Sequence, residues 1–200
     1  MQPIDSAMFK LRLPTDPRWV NIVEKNIPEI LTDHAWCEQK AASNAISIIV
    51  RYPEYEELVS VMLEIAQEEL THFRMVTEKI KERGVTLGPE RKDEYVNLLY
   101  NFRRKGGSRT QQLLDHLLFA AMIEARSCER FRVLSENIKD KELKKFYHEL
   151  MISEANHYTT FLGFAKKYCT TEDVDARWQQ YLDYEGEIIS RFGKKETVHG

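Results

Sequence analysis

The sequence predicts an all-α fold: a four-helix bundle with a long crossover between its second and third helices and an extra helix at each end. Three observations point there. Apolar residues recur every three or four positions over long stretches; β-branched residues are scattered, with no alternating run; and helix start and stop signals cut the chain into segments of bundle length. With 200 residues, 42% of them hydrophobic and 30% charged, a single helical domain over 1–200 is expected.

Asp16 before Pro17 is an N-cap followed by proline at the first helical position, and opens a short first helix. Pro28 restarts the chain into a longer helix that ends near Arg51, ahead of Pro53. A second long helix covers 54–83 and stops at Gly84, a residue that tolerates the left-handed conformation of a helix end. Residues 84–107 contain Gly84, Gly88, Gly106 and Gly107, one proline and a weak helical patch at 95–102, and read as a connection long enough to cross a bundle. Ser108 with Gln111 is a capping box for a third helix running to about Asn137. Asp140 caps a fourth, to about Tyr168, so the core bundle covers about 28–168. Thr170 or Thr171 opens a fifth over 172–192, stopped by Gly193; the tail beyond is charged and unpatterned.

Composition removes several classes. The net charge of −3 gives no whole-protein attraction to nucleic acid. Cys37, Cys128 and Cys169 are far apart, odd in number and without C-x-x-C spacing, which argues against a disulfide framework and against a four-thiolate cluster. No window approaches the roughly 18 apolar residues of a membrane span. The opening MQPIDSAMFKLRLP lacks a signal-peptide pattern, so a cytoplasmic location is expected.

The inward stripes of the four long helices share an anomaly: a glutamate in mid-core. The stripes are Ile27, Leu31, His34, Glu38, Ala41, Ala45, Ile49; Leu58, Met62, Ile65, Glu69, His72, Val76, Ile80; Leu113, Leu117, Ala120, Glu124, Cys128, Phe131, Leu134; and Leu143, Phe146, Leu150, Glu154, His157, Phe161. An ionised carboxylate taken from water without a partner costs more than the about 5–15 kcal/mol that holds a domain together, so four need polyvalent cations. Glu69 and Glu154 each carry a histidine three residues on, His72 and His157, on the same helical face. A third Glu-x-x-His, Glu196 with His199, lies in the unpatterned tail and is an accident of composition.

Height carries the stronger argument. Glu38 lies 13 residues before its predicted helix end and Glu69 lies 15 after the next start; Glu124 and Glu154 each lie 13 from theirs. At about 1.5 Å per residue, partners within each hairpin match to about 3 Å. The chain therefore reads as two similar helical hairpins. Glu129 is the rival to Glu124, but five residues turn it about 140° away, and Glu68 fails in the same manner beside Glu69. His34, His116 and His148 are expected as packing or surface residues, Cys37 and Cys128 as small core-lining ones, Trp36 and Trp178 as packing.

One glutamate from each of two helices and Glu-x-x-His from each of two others is the ligand pattern of ferritin-like di-iron and di-manganese proteins. Oxygen and imidazole donors suit iron, and six protein ligands on two metals leave positions open for dioxygen. The chain has no flavin fingerprint and no iron–sulfur motif, so electrons are expected from a separate ferredoxin or reductase.

The blocks DHAWCEQKAAS at 33–43, EIAQEELTHF at 64–73, AAMIEARSCERF at 120–131 and ISEANHYTTF at 152–161 resemble the family of tRNA 2-methylthio-N6-isopentenyladenosine hydroxylases. The resemblance covers roughly residues 15–170 and implies a ferritin-like di-iron monooxygenase that hydroxylates the isopentenyl group of that nucleoside beside the anticodon. Its metal ligands fall on Glu38, Glu69, His72, Glu124, Glu154 and His157. For the tRNA partner, Arg103, Arg104, Lys105 and Arg109 around Gly106 and Gly107 form a candidate phosphate-contacting loop. The competing function is a ferritin-like oxidase or oxygenase of quinone-hydroxylase or peroxidase type acting on a small molecule. A monomer or dimer without membrane attachment is expected.

Overall fold

The computed structural model describes residues 9–192 and Val198. Gly193 and the Glu196/His199 pair lie outside the described residues. Among the described residues there are seven α-helices and no strand: α1 (Val20–Val23), α2 (Ile27–Arg51), α3 (Glu56–Glu82), α4 (Glu94–Phe102), α5 (Arg109–Asn137), α6 (Lys141–Tyr168) and α7 (Val174–Phe192), with a 3-10 turn at Pro17–Trp19 before α1. The four long helices α2, α3, α5 and α6 match the predicted bundle helices, and predicted caps account for the starts of α5 and α6 and the end of α3. Asp16 accepts the Arg18 amide at 2.9 Å. Ser108 and Gln111 form the full capping box of α5, and Asp140 accepts the Glu142 and Leu143 amides at the start of α6. At the end of α3, Gly84 (φ 69°) closes a Schellman turn in which its own amide reaches Lys81 O at 2.9 Å and the Val85 amide reaches Ile80 O at 3.3 Å.

Two details differ from the sequence reading. The weak patch inside 84–107 is a nine-residue helix, α4, capped by Asp93, with Tyr95 and Leu99 buried. A short helix with two inward residues carries little periodic signal, which hides its start. The last helix begins at Val174 and not at 172, since Asp173, rather than either threonine, caps it by accepting the Ala176 amide at 2.9 Å.

The described chain forms two compact units. In residues 22–92, α2 and α3 pack as a helical hairpin. All seven predicted stripe residues of α3 are buried, at about 1.5–3 kcal/mol for each large aliphatic side chain. On α2 the stripe ends on Ala42 and Ile48 in place of Ala41 and Ile49. In the other unit, residues 9–21 and 93–192, α5 and α6 form the second hairpin, and α4 and α7 pack on α5. Between Leu117 and Ser135 only Ile123 and Arg132 of α5 are not buried, so this helix is enclosed on every side.

Candidate metal centre

The apolar period of α2 carries Glu38 inward, and that of α3 carries Glu69 and His72 inward between Ile65 and Val76. None of the three exceeds 6% exposure. Each offers one ligand atom within 4.8 Å of the others. His72 Nδ1 lies 3.4 Å from Glu69 Oε2 and 3.5 Å from Glu38 Oε2, so both carboxylates address one ring nitrogen. The opposite nitrogen, Nε2, lies 3.9 Å from the half-exposed Glu68, the position from which a carboxylate orients a ligating imidazole. His34 is fully buried, and its Nε2 lies 2.5 Å from Glu38 Oε1.

The second hairpin repeats the arrangement. Glu124 on α5 and Glu154 and His157 on α6 are all buried, with one ligand atom from each within 4.8 Å of the others. His157 Nδ1 is 3.8 Å from Glu154 Oε2. Cys128, one turn beyond Glu124, donates its thiol hydrogen to Met151 O at 3.1 Å. Burial, and after it the charges of Glu154 and Glu124, push that thiol well up, so it stays protonated and packs as the core-lining residue expected. Cys37 is half-buried, and none of the three cysteines is in a disulfide.

Each unit thus gathers two carboxylates and an imidazole among apolar side chains, Met62, Ile65 and Val76 in one, Leu117, Leu150 and Phe161 in the other. Carboxylates held in such surroundings call for cations, and the oxygen and imidazole donor set fits iron or manganese.

Glu129 faces away from this site, as its 140° offset requires, but it is not a solvated residue. It accepts the Thr15 amide and hydroxyl and Arg126 Nη1, the last at 3.0 Å. Arg126 also binds Glu185 of α7 through Nε at 2.8 Å and Nη2 at 2.6 Å, and Leu13 O through Nη2 at 3.0 Å. Tyr95 of α4 donates to Glu185 at 3.2 Å. Arg130 lies over the Trp19 ring, 4.3 Å from its centroid. The back of α5 is therefore a buried ionic seam joining α4, α7 and the segment before α1. Burial would lower the Arg126 pKa, but Glu185, Tyr95 and Glu129 outweigh it and raise it. This seam is not legible in the sequence, where Arg126, Glu129 and Arg130 resemble an ordinary polar face.

The predicted basic loop is the α4–α5 turn. Lys105 and Arg109 are exposed, whereas Arg103 and Arg104 are half-buried. The Arg103 guanidinium lies 3.5 Å from the centroid of the Tyr100 ring. Arg104 pairs with Glu172 at 3.1 Å, and its amide donates to Asp115 Oδ2 at 2.6 Å. Asp115 is gripped in turn by Arg177, Nε to Oδ1 at 2.9 Å and Nη2 to Oδ2 at 2.8 Å. Gly106 (φ 101°) and Gly107 (φ 93°) take left-handed backbone, and a Cβ on Gly107 would sit 2.5 Å from the Gln111 Oε1 of the capping box. His148 is exposed and His116 half-buried on its own helix, as expected of residues that are not ligands. Trp36 packs near Phe73 and donates to Gly88 O at 2.9 Å; Trp178 packs near Tyr158.

Over residues 2–200 the chain matches the family described as tRNA-(MS[2]IO[6]A)-hydroxylase (MiaE). It is 39% identical, over 82% of its length and 78% of the relative's, to the tRNA 2-(methylsulfanyl)-N(6)-isopentenyladenosine(37) hydroxylase of Pseudomonas putida. The protein of that name from Salmonella typhimurium is 28% identical over 94% of this chain and 86% of its own. Among solved structures, a Synechococcus protein described as having aldehyde deformylating oxygenase activity superposes with a TM-score of 0.87 and 33% identity, covering 95% of each chain. The all-helical chain has the ferritin-like fold that its sequence predicts.

Proposed function

The chain belongs to the tRNA-(MS[2]IO[6]A)-hydroxylase (MiaE) family, and on that premise we propose how its residues carry out the reaction. It is an enzyme, a tRNA hydroxylase acting on 2-methylthio-N6-isopentenyladenosine at position 37. In our reading the six residues bind two irons, with one trio, Glu38, Glu69 and His72, on the α2–α3 hairpin and the other, Glu124, Glu154 and His157, on the α5–α6 hairpin. The observation that carries it is the repeat: each hairpin buries two carboxylates and one imidazole within 4.8 Å of one another.

The charges support this. Four carboxylates balance two divalent cations, so the loaded site is neutral in apolar surroundings that would not tolerate either set alone. Two irons, when bound, would supply the redox chemistry by which one atom of dioxygen enters an isopentenyl C–H bond and the other leaves as water, with two electrons from a separate ferredoxin or reductase and two protons from solvent. The protein's share is to fix the donors and keep water out. Met62 and Ile65 on one hairpin and Leu150 and Phe161 on the other shield the carboxylates from solvent.

Of Arg103, Arg104, Lys105 and Arg109, the exposed Lys105 and Arg109 are proposed to meet tRNA phosphates, while the half-buried Arg103 and Arg104 hold the turn in place, Arg104 through its ion pair with Glu172. RNA enzymes of this type take bases from single-stranded loops, where a base can leave its stack. No helix among the described residues is long and apolar enough to cross a membrane. We place the enzyme with its tRNA substrate in the cytoplasm, as a monomer or dimer.

The test is nucleoside analysis of tRNA from cells with and without the gene. Loss of the protein should abolish the hydroxylated nucleoside and accumulate its 2-methylthio-N6-isopentenyl precursor. An unchanged nucleoside profile would refute the substrate.

A further inference from the structure

The two hairpins repeat, but not at every position next to the proposed metal site, and the difference at His34 bears on a ligand directly. One turn before Glu38 stands His34, fully buried, with Nε2 at 2.5 Å from Glu38 Oε1. The equivalent position one turn before Glu124 is Ala120, also buried, whose side chain has no polar atom to offer. Residues four apart on a helix share a face, so the His34 to Glu38 contact needs no other element to form it. An ionised carboxylate has no hydrogen to give, so His34 Nε2 carries the hydrogen and donates it. The other oxygen of Glu38, Oε2, faces His72 Nδ1 at 3.5 Å. The Glu38 carboxylate therefore lies between two imidazoles, one at each oxygen.

We infer that His34 is a positioning residue for the metal site: its N–H occupies one oxygen of Glu38 and presents the other to the metal, a device that the α5–α6 half does not repeat at Ala120. This inference rests on the two-metal reading above. With Oε1 engaged by His34, Glu38 binds through Oε2 alone, and the carboxylate is held in its binding orientation before the metal arrives. The two metals consequently differ in coordination and in affinity, the one beside Glu38 being tighter. Groups that orient a ligand from behind in this manner typically change metal affinity about 10–100-fold.

The experiment is an anaerobic cobalt(II) titration of the full chain, read by the visible d–d absorption, which reports coordination number as well as stoichiometry. The wild type should take up two equivalents in distinguishable steps. His34→Leu should weaken the tighter step about 10–100-fold and change its band shape, leaving the other step as in the wild type. His34→Gln, whose amide N–H reaches the same place, should restore both affinity and band; His34→Asn, which is shorter, should not. The Gln and Asn comparison decides the matter if the leucine variant does not fold. Wild-type affinities and spectra in both His34→Leu and His34→Asn would overturn the inference, as would a glutamine variant as weak as asparagine, which would make the imidazole itself a ligand. A wild-type chain that binds no cobalt would instead remove the two-metal reading on which it stands.

Discussion

Glu129 accepts both the backbone N–H and the hydroxyl of Thr15, at 2.9 and 2.6 Å, while Glu124, five residues earlier on the same helix, faces the α6 ligands about 140° away. One turn and a half of α5 thus serves two unrelated purposes, and the two should separate by mutation. Glu129→Ala removes the acceptor of Arg126 and Thr15 from a buried seam and should cost about 3–5 kcal/mol in urea unfolding. Its iron content after loading should stay at the wild-type value. Glu124→Ala should do the reverse, with lower iron and little loss of apo stability; equal iron loss in both would contradict the assignment of Glu129.

Metal loading should be visible in stability as well as in stoichiometry. A ligand that binds only the folded state stabilises it, by about 4 kcal/mol at a thousandfold excess over its dissociation constant. Iron(II) or manganese(II) should therefore raise the melting temperature of the wild type. Glu69→Ala and Glu154→Ala each remove a carboxylate from one trio, and both should take up less than the two irons per chain expected of the wild type by metal analysis, with a smaller thermal shift. Full loading in both variants would sink the ligand assignment.

The basic turn should divide into RNA-facing and supporting residues. Lys105→Ser and Arg109→Ser should weaken tRNA binding and reduce the salt dependence of affinity by about one in log–log slope for each phosphate left unneutralised. Iron content should hold. Arg104→Ser should lower the melting temperature instead, because Arg104 bonds Glu172 and its amide is tied to Asp115. If the slope is unchanged in the Lys105 and Arg109 variants, the RNA surface lies elsewhere.

Alkaline stability tests the burial of the α6 and α7 aromatics. Burial pushes the Tyr158 phenol from 10.0 up to about 12, and burial also raises Tyr95 and Tyr181, helped by Glu185 and Asp115 respectively. For a group whose folded pKa is raised, the contribution is intact below the unfolded value and is lost as pH climbs through 10 towards 12. Arg130, lowered to about 10 by burial and then by the charge of Arg126, acts in the opposite direction above pH 10. Three tyrosines should outweigh it, so urea midpoints should fall between pH 10 and 12. Tyr158→Phe should recover part of that loss; an identical alkaline limb in wild type and variant would show that burial does not hold the Tyr158 proton.

The trios are legible in the sequence because they sit on amphipathic helices, where a charged residue inside an apolar stripe stands out: on α3 every stripe residue from Leu58 to Ile80 is buried as the period requires. The same rule cannot see the seam on α5. A helix enclosed on all sides has no polar face for contrast, so Arg126, Glu129 and Arg130 are indistinguishable from surface residues until their partners Thr15, Glu185 and Trp19 are in place, and those lie far off in sequence. Periodicity places His34 on the inward stripe as packing and goes no further, because its donor role depends on the Glu38 rotamer and no sequence carries rotamers.

The enclosure of α5 bears on how this protein can vary. On α3, exposed positions such as Glu68, Leu70 and Glu78 separate the buried ones, so drift can proceed there residue by residue. From Leu117 to Ser135 of α5, only Ile123 and Arg132 are more than marginally open to solvent. A substitution elsewhere in that stretch must be matched by one on α4, α6, α7 or the segment around Thr15, and such paired changes are rare. A saturation library of 117–135 should therefore tolerate polar and charged replacements at Ile123 and Arg132 far more often than at the positions between them, whereas the exposed ends of α5, at Gln112 and Glu136, should accept them freely.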